Sequence, residues 1–390
     1  MTGFIIGSEG NVKDIYLTEV ELIDRYTQGN AWGAGINTLG YLATNNITSF
    51  SSPVQIVGTS SNWKTINARY HAAGIKSDGT LWLWGLNTNG QLGDNSRTHR
   101  SSPVQTVAGG TNWKSVSAGG YHTAAIKTDG TLWLWGNNQN GQLGTNDRTH
   151  RSSPIQTVDG GNDWKQVSIG NFHTLAIKTD GTLWGWGNNA QGRLGDNTQV
   201  HRSSPIQTVA GGTDWKQVNC GGSHTVAIKT DHTLWVWGNN GTAGRLGTND
   251  TSHYSSPVQV FGGGLWRQVV AGIVNTAGIK TDGTLWLWGS NTNGQLGDNT
   301  VTSVSSPVQT VAGGTDWKFV GNDGYSSAAI KYDGTLWVWG ANATGQLGTN
   351  DRTHRSSPVQ TIATGNTWKV CTTGTTSSST DGFILGVKYE

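Results

Sequence analysis

Residues 113–158 read WKSVSAGGYHTAAIKTDGTLWLWGNNQNGQLGTNDRTHRSSPIQTV. Four short runs in this stretch suit extended backbone: WKSVSAG from Trp113, HTAAIKT from His122, TLWLWG from Thr131 and SPIQTV from Ser153. They are rich in Val, Ile, Thr and Trp, side chains that fit a pleated, half-buried surface. Glycine-containing turns separate the first three, as tight hairpins require. The fourth follows a longer polar loop, NNQNGQLGTNDRTHRS. Four antiparallel strands per unit form the blade of a propeller.

The unit recurs along the chain. All seven prolines stand in Ser-Ser-Pro, at Pro53, Pro103, Pro154, Pro205, Pro257, Pro307 and Pro358, spaced by 50, 51, 51, 52, 50 and 51 residues. A second series of seven is Trp63, Trp113, Trp164, Trp215, Trp266, Trp317 and Trp368. DGTLWLWG at Asp78 returns with small changes at Asp129, Asp180, Asp231, Asp282 and Asp333. A fixed period of this length signals a propeller or a solenoid. Trp133 and Trp135 sit at i and i+2, so both point to one side of their strand. A large indole buries about 150–250 Å², so contact between neighbouring blades is expected to hold the assembly.

The chain ends decide between an open stack and a ring. The C-terminal ILGVKYE, from Ile384, matches AAGIKSD from Ala72, the second strand of a unit, and the chain stops there. At the other end, YTQGNAWGAGINTLGYL from Tyr26 matches KSDGTLWLWGLNTNGQL from Lys76, the third strand and its loop. One blade is therefore expected to combine 368–390 with 26–57, a two-plus-two clasp that leaves no open sheet edge. The predicted fold is all-β: a seven-bladed β-propeller over 26–390 with four antiparallel strands per blade, preceded by an unrepeated leader, 1–25.

Composition agrees and excludes several functions. The chain carries 58 Gly, 20 Trp, 13% charged residues and a net charge of +2. With no run of basic residues longer than a pair, binding nucleic acid by phosphate neutralisation is not expected. Cys220 and Cys371 form no C-x-x-C pair, so neither a zinc site nor a disulfide framework is implied. Phe4-Ile5-Ile6 lacks the basic flank and apolar core of a signal peptide. Nothing approaches the roughly 20 apolar residues of a membrane-spanning helix. No cofactor is implied.

WGLNTNGQLG from Trp84, then a proline strand, then GGYHTAAIKTDG from Gly119 resembles the repeat of the regulator of chromosome condensation family, over about residues 26–390. That family includes a nucleotide-exchange factor for a small GTPase that docks on chromatin, bacterial inhibitor proteins and many other repeat proteins. The exchange-factor role transfers poorly, because the period here stays within 50–52 and there is no basic tail. With its leader, FIIGSEGNVKDIYLTEVELIDRYTQGNAWGAGIN from Phe4, the chain also resembles repeat proteins of this type among the structural proteins of marine and cyanobacterial phages.

Chemistry-bearing residues are repeated. His71, His122, His173 and His224 share one position, which Asn275 and Ser326 occupy in units five and six; each imidazole is expected to bond a turn in its own blade. The Asp of each DGT turn is expected to stabilise that turn, since calcium needs six to eight oxygens. Cys220 is expected to be a small buried residue. No asymmetric cluster of nucleophile, base and orienting group stands out, so no catalytic residue is assigned.

The long loops carry Arg97, His99 and Arg100; Arg148, His150 and Arg151; His201 and Arg202; and Arg352, His354 and Arg355. On one rim they would form a discontinuous basic belt suited to anionic glycans or an acidic protein, or a solvated loop set that aids solubility. His253 and Tyr254, and Val301 to Val304, interrupt it. The leader mixes five acids with Ile15, Leu17, Val20, Leu22 and Ile23 and is expected to dock on another protein. These features suggest a non-enzymatic virion propeller of a phage tail or fibre, folded in the host cytoplasm. It would contact other virion proteins and a host-surface receptor, glycan or protein, and neither bind nucleic acid nor insert in a membrane. A cellular inhibitor or scaffold propeller, and a multivalent lectin with tryptophan-rich pockets, are the alternatives.

Overall fold

A computed structural model describes residues 29–57, 62–362, 365–376 and 381–389. Among these residues the strands form seven four-stranded antiparallel sheets. Blade 1 spans 63–105, blade 2 113–156, blade 3 164–207, blade 4 215–259, blade 5 266–309 and blade 6 317–360. Blade 7 joins Trp368–Thr375 and Gly382–Tyr389 to Gly29–Gly35 and Phe50–Gln55. Across its seam Gly29 opposes Tyr389 and Gly35 opposes Phe383. Blade 7 packs on both blade 6 and blade 1, so the ring closes. The match beginning at Tyr26 is thus seen from Gly29 onward; residues 26–28 and the leader, with Ile15, Leu17, Val20, Leu22 and Ile23, lie outside the described residues.

The first strand of each blade lines the axis of the ring, around a cavity of about 170 Å³. In blades 1 to 6 the chain therefore runs outward through each blade before crossing to the next. Two faces result. One carries the hairpin turns between second and third strands, with the links between blades. The other, the loop face, carries the turns between first and second strands and the long loops.

The period-2 alternation of each strand explains the core. Ala73, Ile75, Leu81 and Leu83 of blade 1 pack against Trp113, Ala125 and Trp135 of blade 2. The opposite side of blade 2, including Ile126, Leu132 and Leu134, packs on Trp164 and Trp186 of blade 3. Each blade thus offers aliphatic residues forward and indoles backward. Trp135 is fully buried and its Nε1–H donates to the Gln91 carbonyl of the preceding blade at 2.8 Å. Trp186 does the same to Gln142.

Trp133, its i−2 neighbour, is only half-buried and has a different role. The Lys127 ammonium lies 4.7 Å from its ring and 4.8 Å from that of Trp113. An ammonium between two aromatic faces is held by the ring quadrupoles. Six blades repeat this sandwich, from Lys76 to Lys331. The hairpin between the second and third strands depends on its Asp and Gly. Asp129 Oδ1 accepts from the amide and the hydroxyl of Thr131. Gly130 has φ +82°, and a Cβ there would collide with the Asn162 carbonyl.

Candidate functional site

The loop face is assembled layer by layer from the axis outward. Innermost, His71 Nε2 lies 2.6 Å from Thr123 Oγ1 of blade 2, and that hydroxyl donates to the Gln91 carbonyl at 2.7 Å. Because the threonine proton is committed, the imidazole donates from Nε2–H and its Nδ1 carries no proton. The relay repeats through His122 and Thr174, His173 and Thr225, and His224 and Thr276. The expectation of a bond within the same blade is corrected: each imidazole ties its blade to the next. All four are fully buried, and burial pushes His71 and His122 down to about 3 and His173 and His224 well below the usual range. The relay stops at blade 5, where Asn322 donates to the Asn275 side chain. The glycine before the turn makes room for two of these rings, since a Cβ on Gly170 would meet His173 Nδ1 and the Gly221 carbonyl at 2.5 Å, and one on Gly221 would meet His224 Nδ1.

That glycine position exposes two residues which the sequence reading passed over. Around the ring it holds Arg69, Gly119, Gly170, Gly221, Gly272, Asp323 and Gly374. Arg69 extends across the axis: its Nε–H donates to Asp323 Oδ1 at 2.8 Å, and Nη2 donates to the Cys220 and Ala271 carbonyls. Its own carbonyl accepts from the Thr375 amide. One side chain and its backbone therefore link blades 1, 4, 5, 6 and 7. Both charges are buried; desolvation outweighs the pull of Arg69 and pushes the Asp323 carboxyl up to about 7. Cys220 is buried, as expected, and burial lifts its thiol to about 12.

The next layer is the long loop, built on a buried asparagine. Asn87 Oδ1 accepts from the Leu92 amide, while Nδ2 reaches Asp94 and the Thr98 carbonyl. Its backbone amide donates to His99 Nδ1 at 2.9 Å. His150, His201, His253 and His354 accept in the same way from Asn138, Asn189, Asn240 and Asn342. Ser303 does so in blade 5, and Ser49 in blade 7.

The arginines of the belt divide into two sets. Arg100 and Arg202 open the outermost strands and pair with Asp94 and Asp196, at 2.7 and 2.9 Å. Arg151 and Arg355 pair with Asp147 and Asp351. Burial alone would raise Asp94, but hydrogen bonds from Ser96 and Arg100 hold it below the usual carboxylate range. In blade 4 the hydroxyl of Tyr254 donates to Asp250 at 2.7 Å, in the arginine's place. Only Arg97, Arg148 and Arg352 extend as exposed cations. Burial, and secondarily Arg97, lowers His150 of the following blade.

Around the axis the loop face is asymmetric. Tyr70 and Tyr121 meet edge to face at 5.3 Å, and Tyr121 stacks on Phe172 at 5.0 Å. Tyr41 stacks on Phe383 at 5.0 Å. Tyr41, Tyr70 and Tyr121 line a cavity of about 530 Å³ between blades 7, 1 and 2. On the far side Arg193 and Arg245 replace the glutamine of the GQLG motif. Arg193 is anchored by the Ala190 carbonyl and Gln191, and Arg245 by the Ile273 carbonyl. No cluster of three or more metal-ligating side chains occurs among the described residues. The tryptophans are committed to the cores and to lysine sandwiches, which leaves the lectin reading without open indole pockets there.

Residues 28–380 match the family described as the RCC1-like domain. The ultraviolet-B receptor UVR8 of Arabidopsis thaliana is 30% identical over 281 residues, 69% of this chain and 63% of that one; the match therefore spans under two thirds of that relative. The crystal structure of human WBSCR16 superposes with a TM-score of 0.79 at 20% identity, covering 93% of this chain and 100% of that one. Yeast RCC1 (Prp20), solved bound to Kap60, gives 0.81 at 17% identity, covering 99% and 97%. At such identities these two likenesses concern the fold alone.

Proposed function

The chain belongs to the RCC1-like domain family, and from that premise we propose that it is a non-enzymatic protein-binding scaffold whose partners dock on the loop face. One observation carries this reading. The turn face repeats the Asp-Gly-Thr hairpin in five blades, with His232 for the glycine in blade 4, and the lysine sandwich in all six, whereas the loop face departs from the repeat around its axis. Tyr41, Arg193 and Arg245 stand where other blades have glutamine, and Tyr70, Tyr121, Phe172, Ser223, Val274 and Tyr325 share another position. A uniform face suits a framework, and a varied one suits recognition of a single partner.

Photo-crosslinking tests this. Benzoylphenylalanine at Arg148, on the loop face, is expected to give protein adducts in the cell that makes the chain, and at Val158, on the turn face, none. Adducts from Val158 alone, or from neither site, would overturn the proposal. A narrower reading, display on a phage particle with residues 1–25 as attachment, rests on the regularity of the repeats and on the leader. Its rim cations would face a host receptor. Absence of the chain from purified particles by mass spectrometry would remove it.

A further inference from the structure

The seam between blade 7 and blade 1 gathers four bulky apolar replacements, whereas the other apolar residues in the same columns are the small Ala243 and Ala341. Ile36 and Leu86 occupy a position that is Asn137, Asn188 and Asn239 in blades 2 to 4. Leu39 replaces the asparagine seen at Asn89, and Tyr41 the glutamine seen at Gln91. All four polar-to-apolar changes line the same cavity of about 530 Å³, with Tyr70 and Tyr121. Random drift would spread such changes around seven blades. Concentrated in one concave site of about 300–1,000 Å³, they have the character of a ligand pocket.

Its charge indicates the ligand. Among the described residues one carboxylate, Asp381, lines the cavity, and no basic side chain does. The nearby Arg69 is turned down the axis into its bond with Asp323. The rings are fixed beforehand by stacking on Phe383 and Phe172, so their faces need no ordering on binding. We infer that this pocket takes a lysine or arginine side chain, flanked by an apolar residue, from a peptide segment of the partner. The cation would sit against the partly exposed ring of Tyr121 near Asp381, and its neighbour against the partly exposed Leu39 and Leu86. This rests on the scaffold reading above and names what that face recognises.

The test is a hexapeptide array probed with the full chain. Bound peptides should be enriched in Lys or Arg beside Leu or Phe, and norleucine in place of the cation should weaken the best of them about tenfold. Asp381→Asn should weaken it by a similar factor, and Thr88→Trp, at the exposed lip, should abolish binding. Thermal unfolding of each variant checks that the ring is intact. Equal affinity for the norleucine peptide, no enrichment, or indifference to Thr88→Trp would overturn the assignment. If crosslinks from Arg148 persist while the array fails, the pocket assignment falls and the scaffold stands; loss of both removes the premise.

Discussion

His122 and His150 belong to one blade, and each recurs around the ring, but they hold their places by opposite means. His122 is wholly buried, donates from Nε2 to a threonine of the next blade and leaves Nδ1 without a partner among the described residues. His150 is half-buried at the rim, and its Nδ1 accepts an amide of its own loop. The inner ring ties blades together, and the outer ring clips single loops. Blades 5 and 7 use serine at the outer position and keep the same bond to the asparagine amide. At the inner position, the loss of histidine in blade 5 comes with a new bond from Asn322.

The strongest way to break this comparison is acid. An inner imidazole has a folded pKa near 3 against 6.5 unfolded. Its stabilisation is therefore complete above about pH 6.5 and is lost as pH falls towards 3. Each group costs about 1.4 kcal/mol per pH unit in that window. Asp323 acts in the other direction: with a folded pKa of about 7, it takes up a proton on acidification before the unfolded chain does. His173 and His224 shift in the same direction, so four histidines oppose one aspartate and stability falls on acidification between pH 6 and 4. A domain with about 5–15 kcal/mol in hand should then show a urea midpoint, read by circular dichroism, that falls steadily from pH 6 to pH 4. His122→Asn should reduce the pH slope by one group's share, about 1.4 kcal/mol per pH unit, whereas His150→Ser should reduce it by less; equal reductions would erase the distinction between the rings.

Arg69 sharpens the comparison next, because its charge helps keep His122, His173 and His224 neutral. Arg69→Met leaves Asp323 buried without its partner and should cost about 3–5 kcal/mol at pH 7. Adding Asp323→Asn should return most of that loss. A double variant no more stable than the single one would show that the ion pair is not what joins these blades. The outer ring should respond less: His150→Ala strands the Asn138 amide and should cost about 1 kcal/mol, and His150→Ser under 0.5, read from chemical denaturation midpoints.

The fold was legible because its signals are redundant. Seven Ser-Ser-Pro motifs and two complementary chain ends specify ring, period and seam. The inner relays were half-legible: the recurring histidine was visible, but not its acceptor, since a bond between residues 52 apart depends on how blades pack. Arg69 and Asp323 are separated by 254 residues, and their meeting across the axis follows only from closure. Their signal was nevertheless present, as the two charged residues in a column of glycines. The seam pocket had the same kind of trace, apolar residues in polar columns. Where repeats are this alike, departures from the repeat locate function better than the repeat does.

The rim offers the smallest effects on stability and the cleanest separation of binding from folding. Arg97, Arg148 and Arg352 are exposed and clip nothing, so changing all three to Ser should move stability by under 0.5 kcal/mol. Arg100 differs, since its partner Asp94 is 4% exposed while its own side chain is 39% exposed. Discounted for solvent screening, Arg100→Ser should cost about 1 kcal/mol or less and loosen the loop that presents Arg97. Replacing both sets together would confuse a lost contact with a lost loop. The triple Arg97, Arg148 and Arg352 variant should weaken attachment to an acidic partner and flatten its dependence on salt, with the unfolding midpoint unchanged. Unaltered salt dependence in that variant would take the exposed rim cations out of recognition and leave the loop-face axis as its site.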